Sequence, residues 1–127
     1  MTSTRTLAEL DQPYRDAESR LTALICGPQG RLTAAQHAER SDAIAAAIVD
    51  LRAIVNEMQL AVYREPSVPM ALGMALRHAL SGLEADAAFW RKSAADHRAD
   101  VAREQAATKL AIMRARRIEI DGEVVAP

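Results

Sequence analysis

The most conspicuous chemistry in the sequence is positive charge near the carboxyl end. Between Val101 and Arg117 five basic residues stand against one acid, and acidic residues follow at positions 119, 121 and 123. Arginines at a helix end can contact nucleic-acid phosphates or an acidic partner, although cations there also complement the helix dipole. A net charge of −1 gives no global attraction for nucleic acid or anionic membranes. The candidate contact residues are Arg114, Arg116 and Arg117.

The histidines and the cysteine do not form a pattern typical of catalysis or metal binding. Metal-binding helical bundles use Glu-x-x-His, but an alanine stands three residues before each of His37, His78 and His97. The single cysteine, Cys26, precedes Gly27 at the expected end of a helix, where an inert buried thiol is the usual case. The sequence therefore predicts no enzyme activity, metal, cofactor or small-molecule substrate.

Composition favours thin, closely packed helices. Hydrophobic residues make up 50% of the 127 residues, yet aromatic residues make up only 3%. Alanine, which supplies much of the apolar content, is the best helix former and buries little surface. No apolar run is long enough to predict a membrane span or a signal peptide. We expect a cytoplasmic protein, or one that is part of a virion or another intracellular assembly.

Capping and turn signals predict a single all-α domain over 1–117. They predict helices over about 6–26, 33–64 and 70–117. Thr6 with Glu9 and Thr33 with Gln36 fit capping boxes at the first two starts. Ser81 begins a similar pattern, so the third segment is either one helix or two with a joint near residue 81. In the first segment, Pro13 predicts either a kink or a fresh helix start.

Apolar residues recur every three or four positions in the second and third segments, which predicts a long antiparallel helical hairpin of coiled-coil type. The alternative for the second segment is parallel pairing with the identical helix of another copy. The second segment carries Ile44, Ile48, Leu51, Val55, Met58 and Val62. The third carries Leu76, Leu80, Leu83, Ala87, Trp90, Ala94, His97 and Val101. Beyond Val101 this stripe fades, and another begins with Ala102, Ala106, Leu110 and Met113. Such a change of face is typical of a helix that leaves one partner and meets another.

The two long helices have unequal lengths. At 1.5 Å per residue the third spans roughly 70 Å and the second about 48 Å, whereas a globule of this chain length is about 36 Å across. Part of the third helix is therefore expected to be bare in a monomer and to serve as a binding surface. The predicted interface residues are Phe89, Trp90, Val101, Leu110, Ile112 and Met113.

The end of the chain changes character. From Arg116 polar and apolar residues alternate, and Asp121–Gly122 is a favoured hairpin turn. The sequence predicts a short extended or β-like tail over 118–127. It is expected to pair with neighbours in an assembly, to lie as an ordered extension in a groove, or to be disordered.

These features predict a non-catalytic assembly, adaptor or regulatory protein that binds copies of itself or another protein. The alternative is a nucleic-acid-associated oligomer. A helical hairpin followed by a strand-like tail, over roughly the last three-quarters of the chain, is similar to the ring-forming small subunits of phage DNA-packaging motors. That resemblance implies hairpins packed side by side in a ring and tails forming a collar. The family's N-terminal helix-turn-helix is not evident here, because the opening segment has the pattern of a packing helix.

Overall fold

The computed structural model describes residues 5–27 and 30–125, with side chains described as far as Glu119. Over these residues the fold is all-helical, with three α-helices and no strand. They are α1 (Leu7–Cys26), α2 (Ala34–Arg64) and α3 (Met70–Val125).

The first two helices begin where the capping signals predict. The Thr6 hydroxyl accepts from the Glu9 backbone N–H at 3.2 Å, and the Glu9 carboxylate accepts from the Thr6 backbone N–H. Thr33 and Gln36 make the same reciprocal pair at the start of α2, with distances of 3.2 and 2.9 Å. Both capping boxes are thereby confirmed, and each satisfies backbone donors that a helix start leaves unpaired.

Neither position at which the sequence allowed a break, Pro13 or Ser81, interrupts a helix. Pro13 lies inside a single α1, so the fresh start considered for that segment does not occur. The backbone of α3 is helical through Ser81, so there is no joint at that position. Between α2 and α3, residues 65–69 contain two prolines, which cannot donate helical hydrogen bonds. That segment lets the chain reverse.

The stripe on α2 forms the centre of the core. Ile44, Ile48, Leu51, Val55 and Val62 are buried, as the periodicity predicts. One cluster joins Leu51, Val55 and Val62 to Ala17 of α1 and Leu76 of α3. A second joins Ile44 and Ile48 to Ala87, with Trp90 packed against it.

Cross-helix pairs show that α2 and α3 run in opposite directions. The Arg77 guanidinium donates to the Tyr63 hydroxyl at 2.8 Å near the turn. The Ser41 and Ser93 hydroxyls are 3.1 Å apart near the other end of α2. Each helix buries one face against the other. Because α3 is longer than α2, this contact ends where α2 begins.

The extended or β-like tail predicted from residue 118 is wrong for the described residues, because α3 continues through Val125. Residues 126 and 127 lie outside the described part. Residues 109–117 are almost all good helix formers, and no proline follows until Pro127. Continuing the helix satisfies successive backbone groups, whereas a strand of this length needs a paired neighbour.

Candidate interaction surface

The contact between α2 and α3 ends near the amino terminus of α2. The His37 and His97 rings stack there with centroids 4.9 Å apart, and Arg98 forms an ion pair with Asp42. Val101, one turn further along α3, is half-buried. This is where α3 leaves its intramolecular partner.

Beyond that point α3 projects without support from α2. Every side chain from Ala102 to Glu119 is exposed, and we call these residues the projecting segment. Its 18 residues extend about 27 Å at the helical rise. The bare overhang that unequal helix lengths predict is therefore present in the structure.

The projecting segment exposes large apolar side chains. Leu110 is 47% exposed, Met113 is 57% exposed, and Ile112 and Ile118 are also exposed. Leu110 and Met113 lie about 60° apart around the helix and share a face with Ala106, whereas Ile112 lies about 200° from Leu110. The predicted interface residues in this segment therefore occupy two opposite faces.

Phe89 and Trp90 have different environments although they are adjacent. Trp90 is half-buried beside Ile44, Ile48 and Ala87, and the Arg40 guanidinium lies 5.8 Å from the centroid of its ring. Phe89 is 64% exposed and makes an edge contact with the Trp90 ring at 5.3 Å. Trp90 packs mainly against residues of its own chain, and Phe89 is the accessible member of the pair.

The basic side chains of the projecting segment are exposed but do not form one patch. Arg114 and Arg116 are about 200° apart around the helix, so they lie on different sides. Arg103, Arg114 and Arg117 lie within about 60° of each other, on the side that carries Leu110. Arg103 forms an ion pair with Asp100 of its own helix. These cations flank the exposed apolar face formed by Ala106, Leu110 and Met113, which we call the seam, so few of them remain for a separate basic face.

A second exposed apolar region, not predicted from the sequence, lies at the α2–α3 turn. A groove of about 410 Å³ is lined by Tyr63, Val68, Met70, Met74 and other residues of the turn. Gly73 lies next to Val62 there, and an added Cβ would stand 3.4 Å from a Val62 methyl carbon, which is an ordinary contact distance. In the sequence, the signal for this region was the pair Met70 and Met74, which are four residues apart and share a helix face. Both side chains are well exposed in the structure.

The described side chains include no cluster of metal-ligating groups. Among residues 5–27 and 30–119 no group of three or more His, Cys, Asp or Glu could hold a metal ion. A hydrogen bond with Glu18 raises the pKa of Tyr14, and burial adds to the rise. Both residues lie on α1, and neither belongs to a group that could hold a metal ion. Cys26 is exposed, so the expectation of a buried thiol is wrong. The helix ends at that residue and leaves its side chain at the surface.

No helix in the described part of the chain is both long and apolar enough to cross a membrane. No protein-family model matches the chain, and neither the curated proteins nor the solved structures contain a match to it.

Proposed function

We propose that this chain is a non-catalytic assembly or adaptor protein that acts through protein–protein contacts of the projecting segment, in the first place by self-association. The coiled-coil-like hairpin of α2 and the first part of α3 is the scaffold that carries this segment. The observation that carries the proposal is the continuous exposure of residues 102–119 on a regular helix.

The stability of an unsupported helix favours a partner. Most helical stability in proteins comes from packing one apolar face on a neighbouring element, and helix propensity alone contributes little. The projecting segment has good helix formers but no packed face within the described chain. A partner that covers the segment would supply the missing burial.

The kind of exposed side chain also favours association with protein. Scattered single apolar residues on a surface are ordinary, whereas a continuous apolar patch usually marks a binding site. Leu110 and Met113 are both about half exposed or more, on one face of one helix. Alanines at 102 and 106 on the same side allow another helix to approach closely.

The mass of the purified chain in solution tests this proposal. Light scattering after size exclusion is expected to give a mass above the 13.8 kDa of one chain that rises with loading concentration, because burial of the seam is driven by mass action. A mass of one chain at every loading up to high micromolar concentration, with no partner present, would contradict self-association.

The nucleic-acid alternative has its own outcome in the same experiment. Arg116 lies on a different side of α3 from Arg114 and Arg117, and Arg103 is paired with Asp100. So few cations are available to one phosphate backbone, and added duplex DNA is expected to leave the elution volume unchanged at low salt. A salt-dependent shift that disappears when Arg114, Arg116 and Arg117 are all changed to alanine would favour the alternative instead.

A further inference from the structure

We infer that the seam of the projecting segment docks on an exposed face of α2 in a second copy of this chain. This inference rests on the proposed self-association and adds which surface of the second copy covers the seam. It follows from an uncovered face on α2, from the charges beside the two surfaces, and from the spacing of their residues.

The uncovered face of α2 consists of Glu39, Ala46, Val49, Asp50 and Ala53, and we call it the α2 face. These five residues are all exposed and lie within about 100° of each other around the helix. The buried stripe that packs against α1 and α3 lies on the opposite side of α2. The α2 face is therefore a regular helix face with small and apolar side chains that is open to a further helix.

The charges that flank the seam disfavour the pairing of two seams. In the heptad that places Leu110 and Met113 at core positions, the charged flanking residues are Lys109, Arg114 and Arg116. Two seams that faced each other would bring Lys109 of one copy beside Arg114 or Arg116 of the other, depending on their direction. Like charges repel there, so the surface that covers the seam must carry acids.

The α2 face supplies those acids. Glu39 and Asp50 belong to it, and Glu57, which is also in an ion pair, lies seven residues beyond Asp50. The groove at the α2–α3 turn is lined instead by one acid and one cation, Glu65 and Arg77. Charge therefore selects the α2 face. The seam cannot reach the α2 face of its own chain, because α3 projects beyond the start of α2, so the contact is made with a second copy.

The spacing of the two surfaces gives their alignment. If the helices run in the same direction with Leu110 beside Ala46, Met113 lies three residues further on, beside Val49. Each larger side chain of the seam then meets a smaller one of the α2 face. The remaining seam residue, Ala106, lies beside the ion pair at position 42.

The same alignment matches the charges. In parallel helices, a residue just before a core position meets the flanking residue five positions further along its partner. Lys109 then reaches Asp50, and Arg116 reaches Glu57. Helices running in opposite directions would bring Lys109 or Arg116 beside Arg52 instead. Charge therefore favours the same direction.

Because the seam and the α2 face are different surfaces, the contact is heterologous. A copy that uses its seam keeps its own α2 face open to a third copy. Association is therefore expected to pass beyond two copies, into a ring if the rotation between copies closes and into an open filament if it does not. Docking covers side chains of α2, whose backbone is already protected by packing on the other side.

Complementation between two blocked variants tests the inference. Leu110→Glu/Met113→Glu loses the seam and keeps the α2 face, whereas Ala46→Arg/Asp50→Arg keeps the seam and puts cations where it would dock. Each variant alone is expected to give the mass of one chain by light scattering, at a concentration at which the unmodified chain associates. An equimolar mixture is expected to give the mass of two chains and no more, because one functional surface remains on each.

The other outcomes overturn the inference in distinguishable ways. If Ala46→Arg/Asp50→Arg associates on its own, or if the mixture stays at the mass of one chain, the seam docks elsewhere and only this inference is rejected. A single-chain mass for the unmodified protein at every concentration rejects self-association as well. The control Ala85→Arg/Asp86→Arg makes the same replacements at exposed positions of α3 and is expected to associate normally. An equal loss in this control would show that added charge, rather than the α2 face, is responsible.

Exchange of one charge pair tests the alignment. Lys109→Glu is expected to weaken association by at least about threefold, and Asp50→Lys in the same chain is expected to restore it, since the pair is kept with its signs reversed. Concentration series by light scattering measure both effects. If Asp50→Lys weakens association further, Lys109 does not face Asp50 and the alignment is wrong.

Discussion

The double variant Leu110→Glu/Met113→Glu is expected to associate at least about 100-fold more weakly than the unmodified chain. Burying a Leu or Met side chain contributes about 1.5–3 kcal/mol, and each tenfold change in affinity corresponds to about 1.4 kcal/mol. Both side chains lie on the seam and are 47% and 57% exposed in the single chain. Light scattering against concentration measures the change in mass and affinity.

The variant Ala115→Glu is the matched control for this loss. It introduces a negative charge in the same helix, but residue 115 lies about 140° from Leu110 around the axis. Its affinity is expected to stay within a few-fold of the unmodified chain. Equal weakening by the double variant and by Ala115→Glu would show that added charge, rather than the seam, is responsible.

Replacing Ile44 with alanine is expected to lower the free energy of unfolding by about 3 kcal/mol, within the 2–5 kcal/mol typical of such core truncations. Ile44 is 0% exposed and packs with Ile48 and Ala87 in the cluster that joins α2 to α3. Alanine would leave a cavity between α2 and α3. That cavity cannot close unless the two long helices shift relative to each other along their length. Urea unfolding followed by circular dichroism measures the change.

Leu60→Ala on the same helix provides the comparison. Leu60 is 44% exposed, so its truncation removes less buried surface than truncation of Ile44 and is expected to cost about 1 kcal/mol. Both variants must be measured at one protein concentration, since association itself adds to apparent stability. A loss at Ile44 no larger than that at Leu60 would mean that the α2–α3 contact is not the core of the fold.

Features that depend on short spans of sequence were predictable. The capping boxes at Thr6 and Thr33 involve residues three apart, and their hydrogen bonds follow from local geometry alone. The buried stripe on α2 was equally readable, because one helix face repeats every three or four residues. The exposure of the projecting segment followed from comparing two lengths. In each case the deciding interaction lies within a few residues or follows from the helical rise.

Features that depend on competition between structures were not predictable. The alternation after Arg116 resembles a strand, but the helix already formed through Arg117 needs only to continue, whereas a strand needs a neighbour. Cys26 was expected to be buried because its neighbours are apolar, yet α1 ends there and leaves it exposed. A local pattern does not show which surfaces the other elements reach.

The candidate site shows the same division. The sequence identified Leu110, Ile112 and Met113 as one group because all are apolar and near in the chain, but a helix places Ile112 on the opposite side. It also assigned both Trp90 and Phe89 to the interface. Packing against the core covers much of Trp90, whereas Phe89 is 64% exposed. The groove at the α2–α3 turn was missed because its walls come from two helices and the turn between them.

Hydrogen exchange at two protein concentrations tests most directly whether the projecting segment is the surface of association. At high concentration, amides of residues 102–119 are expected to exchange more slowly than at low concentration, because pairing covers a segment that has no packed face in the single chain. Amides of residues 44–62, already in the core, are expected to exchange equally at both. If the mass rises with concentration while exchange over 102–119 stays unchanged, association occurs through another surface and the central claim is wrong.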